Sequence, residues 1–400
     1  MNESIVILGG GYAGLQSALY FYKEGITPIL IDKNSAHELL PELPYRINKR
    51  KLQTEVPFSE LIGKKKINFV QSEVTGVNYQ TKQITLKDHA PVMFDKLVLA
   101  LGSQPNFFNI PGLKEYSLTF ITTLQADKFN KLIEENFNKA TQCPIGSTEY
   151  KEYLTIIIGG GGLTGIEVAG ELLEKLPKLA KEKGINKADI KIYLIEAMDS
   201  LMPGGDKVLS KRVTNYFFEQ PMVELVLNSP IKEAFDGGVK VADERVIKAK
   251  TILWTGGIRA NAFFDKPFIN ENGEETKWPL GRGFRLEVDD LYRVKGVSNT
   301  YAAGDNALII DPSTKTPFAL NGQAAYKQGR AVVDYVIADI NKVPVSPKKI
   351  KLDGVLVSLG PKIGVGTLWS PLKYNLQVNI ISKLIKDFVE LRYKKFDIRE

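Results

Sequence analysis

Continuous apolar runs recur along the chain at residues 4–8, 28–31, 97–101, 154–158, 190–195 and 251–254, too short for helices and without polar alternation. Segments of helical period lie between them, such as 15–23 and 165–176, the second expected to stop before Pro177. A strand that is apolar on both faces belongs in a parallel sheet covered on both sides, whereas a half-solvated strand alternates. The pattern therefore predicts an α/β protein. Further along, 300–303 reads as a strand and 323–339 as a helix, and a final segment opens with the apolar run 352–359. The stretch 131–151, with Cys143, Pro144 and Gly146, reads as a linker.

One similarity is internal. SIVILGGGYAGLQSALYF near the start and LTIIIGGGGLTGIEVAGEL after residue 153 share one plan of strand, glycine-rich turn and small-residue helix. Their separation is too long for a solenoid and suits two copies of one domain type. The length of 400 residues carries the same prior of two to three domains.

Composition then removes several chemistries. A single cysteine, Cys143, rules out an internal disulfide or a CxxC pair, and with only His37 and His89 beside it no metal site is expected. Redox work would have to come from a bound cofactor. The opening MNESIVILGGG has no basic region before its apolar run, so no signal peptide is expected, and no run is long enough to span a bilayer. The net charge of +7 gathers at Arg46, Lys49, Arg50, Lys51 and Lys64–Lys66, and again in the tail at Lys373, Lys383, Lys386, Arg392, Lys394, Lys395 and Arg399. These clusters lack interleaved stacking aromatics, so nucleic acid is not an expected partner, while an anionic membrane surface is.

The two glycine turns carry the chemistry. Gly9, Gly11 and Gly14 form GxGxxG after the first strand, with Asp32 closing the next; Gly160, Gly162 and Gly165 repeat it, with Glu196 as the later acid. Such glycines allow a tight turn and close backbone approach, the helix amino terminus meets a pyrophosphate, and the acid accepts from ribose hydroxyls. No Arg or Lys closely follows Glu196 to hold a 2′-phosphate, which favours NADH over NADPH. A third signal, Tyr301-Ala-Ala-Gly304-Asp305, places an acid just after a short strand, and it resembles the second FAD-contacting motif of flavoproteins with two dinucleotide-binding domains.

Those motifs, together with Met202-Pro-Gly-Gly-Asp206, Trp254-Thr-Gly-Gly-Ile258, Leu356-Val-Ser-Leu-Gly360 and Leu391-Arg-Tyr393, resemble type II NADH dehydrogenase over nearly the whole chain. The resemblance implies hydride transfer from NADH to FAD and then two electrons to a membrane quinone, without proton pumping. It implies two Rossmann-like domains: an FAD domain split between 1–130 and 275–340, an NADH domain at 150–274, and a membrane-anchoring or dimerising segment at 341–400. FAD would be held by Gly9, Gly11, Tyr12, Ala13, Gly14, Asp32, Lys33, Val74, Ala100, Gly102, Gly304, Asp305, Gln323 and Ala324. NADH would be held by Gly160, Gly162, Gly165, Glu167, Glu196, Gly256 and Gly257. The family's quinone motif, Ala-Gln-x-Ala-x-Gln, keeps Gln323 and Ala325 here but has Gly322 for the first alanine and Lys327 for the second glutamine.

A lysine can still donate to a quinone carbonyl and stabilise developing negative charge, so Gln323 and Lys327, with Lys383 behind them, are the quinone candidates. Glu167 joins Gln323 and Lys327 as a catalytic candidate, although a glutamate in the first turn of a helix also simply complements its dipole. Glu42 stands where the family has Glu-Leu-His, but the histidine position is Pro44, so no role follows from it. Sulfide:quinone oxidoreductases and coenzyme A disulfide reductases need reactive cysteines that one thiol cannot assemble.

Near the end, Ile380, Ile381, Leu384, Ile385, Phe388 and Leu391 wind onto one helical face, with Lys383, Lys386 and Glu390 on the other. Such a helix lies in a membrane interface or packs on the protein or a second copy. The expected location is the cytoplasmic face of the cell membrane, peripherally bound. Two other readings stay open: a soluble NADH-dependent flavoprotein reductase serving a protein or oxygen, and a flavoprotein that senses NADH and acts through a partner.

Overall fold

A computed structural model describes residues 3–49, 51–369 and 374–398; Arg50, Lys373 and Arg399 of the basic clusters lie outside the described residues. Of three five-stranded sheets among the described residues, two carry the glycine turns. The first holds β1 (Ile5–Leu8), β2 (Ile29–Asp32), β3 (Asn68–Gln71), β4 (Lys96–Leu99) and β10 (Thr300–Ala302) in the order β10-β4-β1-β2-β3. The second holds β5 (Leu118–Thr119), β6 (Thr155–Gly159), β7 (Lys191–Ile195), β8 (Val223–Val226) and β9 (Thr251–Trp254) in the order β5-β9-β6-β7-β8. All their ladders are parallel. β1, β4, β6 and β9 are buried throughout, as their unbroken apolar runs predict.

In each sheet the strand entering the glycine turn is central, with the acid-bearing strand on one side and on the other a strand whose exit backs the turn. The central strand's two neighbours connect in opposite directions, which opens a crevice at the strands' carboxyl ends. From β1 the chain enters α1 (Tyr12–Lys23), and from β6 it enters α3 (Leu163–Lys183).

Two expectations about helices are corrected. The stretch 131–151 is not wholly a linker: α2 (Thr123–Ala140) covers its first half, and after the turn at 141–147 a helix at Thr148–Leu154 takes its last residues. Phe129, Ile133 and Phe137 recur every fourth residue and are buried in the second core, a stripe diluted in the sequence by Lys, Glu and Asn. Since α2 packs there and β5 pairs with β9, the second sheet draws on chain well before residue 150. Pro177 does not end α3, which runs on to Lys183. A proline inside a helix removes one hydrogen bond, and burial of Leu176, Leu179 and Ala180 in the second core offsets that loss.

After α4 (Gly322–Ile340) the chain forms an antiparallel sheet of β11 (Gly354–Ser358), β12 (Gly364–Leu368) and β13 (Tyr374–Asn379), then α5 (Ile380–Arg392) and a π-helical turn, Tyr393–Asp397. Val357, Leu359 and Val365 join the second core, whereas Ile398 joins the first, so this last segment is packed into both. On α5 the apolar row faces outward: Ile381, Leu384 and Phe388 are 61%, 59% and 66% exposed. Lys383 and Lys386, expected as cationic flanks of that row, are instead buried. Among the described residues no helix is long and apolar enough to cross a membrane.

Candidate functional site

The two turns agree atom for atom. Gly9 has φ +100° and Gly160 φ +112°, a region that favours glycine. A Cβ on Gly14 would lie 1.8 Å from the Gly9 carbonyl oxygen, and one on Gly165 would lie 2.0 Å from that of Gly160. The middle glycines differ: a Cβ on Gly11 or Gly162 would meet nothing within 4 Å. The first and third glycines thus close the turn while the second faces open space, where a pyrophosphate needs to approach the backbone.

Capping points the same way. Side chains of Thr122, Asp206, Asn321 and Asn379 cap the helices that follow them, but α1 and α3 open on Gly11 and Gly162 with no side-chain cap. Their first N–H groups are therefore left for an anion. The acids sit alike as well. Asp32 Oδ2 accepts from the Gly10 N–H at 2.6 Å, and Glu196 Oε2 accepts from the Gly161 N–H at 2.7 Å. Each acid fixes its own turn and stands at the strand end where a ribose would lie. Burial pushes the Asp32 carboxyl up, and the N–H groups of Asn34 and Gly10 pull it back.

Several first-sheet candidates converge on the start of α1. The Ala100 carbonyl backs Gly9, Gly304 packs on Ala13, and Gly322 packs on Tyr12. Ser103 donates to Asp305 at 2.9 Å, and burial drives that carboxyl upward. Gly102 donates to the Asn306 side chain, while Gly304 donates to Gln328 Oε1 at 3.0 Å. Ala324 is buried in the first turn of α4, and Lys33 is exposed just beyond Asp32. Val74 opens a separate strand, Val74–Asn78, which pairs antiparallel with Gln83–Leu86 in another sheet. In the second sheet, Gly256 lies against Gly160 and the Trp254 ring, and Gly257 against Phe108.

Sequence reasoning missed Ser103, Asn306, Gln328 and His37. Asn306 and Gln328 directly follow the motifs already singled out, whereas His37 has no local signal. Its Nδ1 is 3.0 Å from the Gly10 carbonyl and its Nε2 3.2 Å from the Tyr393 hydroxyl. Burial lowers its pKa to about 4, so the ring is neutral, donating from Nδ1 to the carbonyl and accepting the tyrosine proton at Nε2. Tyr393 also stacks on Tyr12, with centroids 4.9 Å apart.

Glu167 is not solvated helix-dipole decoration. Its Oε1 accepts from the Ser358 N–H at 3.0 Å and from the Lys386 ammonium, and Lys386 also pairs with Glu390 at 3.1 Å. Burial pushes Lys386 down, but the two carboxylates outweigh it and hold the ammonium well above its usual range. Lys383 pairs with Asp387 and lies 4.2 Å from the Tyr45 ring centroid. Close by, Glu171 accepts from Asn48 at 2.6 Å through Oε2, while its buried Oε1 has no hydrogen-bond partner.

Burial raises Glu171 and Glu390 from 4.5 to about 7 each. A carboxyl whose folded pKa is raised contributes stability below 4.5 that is lost as pH climbs through about 7. The protein is therefore expected to lose stability between about pH 4.5 and 7, each group contributing up to ~3 kcal/mol. Glu171→Gln should remove about half of that pH dependence in urea-unfolding midpoints; an unchanged slope would contradict the assignment.

The quinone candidates do not form one group. Lys327 Nζ pairs with both Asp353 oxygens at 2.9 Å and donates to the Lys351 carbonyl at 2.6 Å. Gln323 Oε1 accepts from the Asp353 N–H at 2.8 Å. Both are thus clasped by the segment leading into β11, while Lys383 belongs to the cluster under α5.

Residues 3–329 match the pyridine nucleotide-disulphide oxidoreductase family. This chain belongs to that family. Among curated relatives, the type II NADH:quinone oxidoreductase of Staphylococcus saprophyticus is 29% identical over 378 residues, 92% of this chain and 90% of that protein. The Staphylococcus aureus protein of the same name is 28% identical over 379 residues, with the same coverage. Among solved structures, NDH2 from Plasmodium falciparum in complex with NADH matches with TM-score 0.83 and 18% identity over 99% of both chains. The sulfide:quinone oxidoreductase of Aquifex aeolicus matches with TM-score 0.78 and 16% identity, over 99% of this chain and 91% of that one.

These matches share the fold of a pyridine nucleotide-disulphide oxidoreductase, and fold alone does not choose an acceptor. Cys143 does. It lies in the turn after α2, its thiol is 3.5 Å from the Lys139 carbonyl oxygen, and burial with nearby Glu149 pushes its pKa up. A lone thiol held protonated is a poor nucleophile.

Proposed function

We propose that this chain is a peripheral, FAD-dependent NADH:quinone oxidoreductase that pumps no protons. The observation that carries the reading is the duplicated turn, each copy closed at its first and third glycines and open at its second. Curated relatives that span nearly the whole chain bear the corresponding name. The first turn, with Asp32, Gly304 and Asp305, is assigned to FAD; the second, with Glu196, Gly256 and Gly257, to NADH. Bound FAD supplies the centre that takes hydride from NADH and returns two electrons to a quinone.

The chain's own work is orientation and charge. Gly256 and Gly257 let the loop after β9 pass close against the Trp254 and Phe108 rings, and this loop is assigned to hold a nicotinamide at contact distance. Glu167 and Lys386 set the local charge, while Gln323 and Lys327 offer donors to a quinone carbonyl. The outward row of α5 is assigned to the membrane surface, on the cytoplasmic face.

Without air, NADH is expected to bleach the flavin bands of the purified protein, and a short-chain quinone to restore them. Bleaching that no quinone reverses would remove the acceptor. The lock of Lys327 onto Asp353 favours, in that event, a soluble reductase serving a protein or oxygen. Lys327→Met is expected to lower kcat/KM for quinone about tenfold, with ferricyanide reduction within about twofold. Equal losses with both acceptors would place Lys327 outside the quinone site.

A further inference from the structure

A cleft of about 340 Å³ lies on the outer side of α1 and α4, away from the glycine turns, within the size range of small-ligand sites. Tyr20, Tyr326, Arg330, Lys348, Lys349 and Lys351 line it, with Lys327 at the edge and Asp334 as its one carboxylate. Asp334 is taken by Lys348, and Lys327 by Asp353. Arg330, Lys349 and Lys351 have no carboxylate partner among the described residues. The Arg330 guanidinium lies 4.5 Å from the Tyr326 ring centroid, and its Nε donates to Gln16, which holds the planar fork in place. Three uncompensated cations gathered in one concavity repel one another until an anion joins them, and a guanidinium fork matches two oxygens of a phosphate.

The position selects among phosphate-bearing ligands. Tyr326 packs edge-on against Tyr393, centroids 5.8 Å apart, and Tyr393 directly follows α5. One aromatic contact therefore separates the cationic cleft from the helix whose Ile381, Leu384 and Phe388 face outward. Cation beside an exposed apolar row is the arrangement an anionic leaflet complements, headgroup at one and acyl boundary at the other.

We propose that this cleft binds the phosphate of an anionic phospholipid headgroup while α5 enters the acyl boundary. The inference rests on the membrane reading above and adds a specific headgroup site to it. Lysines 348, 349 and 351 lie outside the basic clusters that the sequence made conspicuous.

The test is sedimentation of the full FAD-loaded protein with vesicles of phosphatidylcholine alone or mixed with phosphatidylglycerol. A lysine held near an anionic surface is worth roughly fivefold in partitioning. K349Q/K351Q is expected to lower the preference for the mixed vesicles at least about tenfold, and the exposed pair K64Q/K66Q less than about twofold. NADH bleaching of each variant reports that it is folded. Equal losses from the two pairs would overturn the cleft and leave membrane binding standing. Loss of the preference with potassium phosphate, but not with potassium chloride at equal ionic strength, is expected of a cleft that takes the headgroup phosphate, and equal loss with both salts would overturn a defined phosphate site. L384E/F388E is expected to lose both vesicle types; wild-type protein that binds neither would remove the membrane reading, and this proposal with it.

Discussion

Gly165→Val is expected to yield a yellow protein that NADH no longer bleaches, while dithionite still does. At this position a Cβ alone would lie 2.0 Å from the Gly160 carbonyl oxygen and 2.7 Å from Thr255 Oγ1, so backbone has to move. Shifting the helix start displaces the N–H groups that would meet the pyrophosphate, and misplacement by about 1 Å costs on the order of 100-fold in rate. Stopped-flow reduction by NADH measures it. The matching change in the first turn, Gly14→Val, should instead give a colourless protein. The assignment of the two turns fails if G165V is bleached at the wild-type rate, or if the two phenotypes are exchanged.

Lys386→Met is expected to destabilise the protein by about 3–5 kcal/mol at pH 8, read from urea unfolding. Lys386 is the cation shared by the buried Glu167 and the half-buried Glu390, and methionine leaves two carboxylates in a low-dielectric site. Adding Glu167→Gln should recover part of the loss, because the amide still accepts from the Ser358 N–H. A K386M protein as stable as wild type would show that water or rearrangement solvates the cluster, and would remove Glu167 and Lys386 as a coupled pair.

What was legible in the sequence follows from how far apart the interacting residues lie. The α/β class, the central strands and both glycine turns are local: each rests on apolar runs and spacings that one segment carries by itself. α2 was lost because its stripe of Phe129, Ile133 and Phe137 is sparse among polar residues, and burial against a distant sheet sustains it. Pro177 predicts a stop because its local penalty is visible in the sequence and the compensating core is not.

In the candidate site, the glycines and acids could be named, whereas the contacts of Glu167 with Lys386 and of His37 with Tyr393 span 219 and 356 residues. No spacing rule reaches that far. For α5, the periodicity gave two faces without saying which is outside. The inward lysines became intelligible only with their carboxylate partners in view.

The placement of α5 has a mechanical corollary. The same thirteen residues display grease outward and hold charge inward, and their continuation wedges Tyr393 against Tyr12 at the mouth of the first turn. Any force that tilts this helix, by docking or by release, is transmitted to the ion pair at Glu167 and to the aromatic stack together. On the reading proposed above, attachment and the electrostatic setting of the flavin site are one thermodynamic variable, each biasing the other by the same free energy.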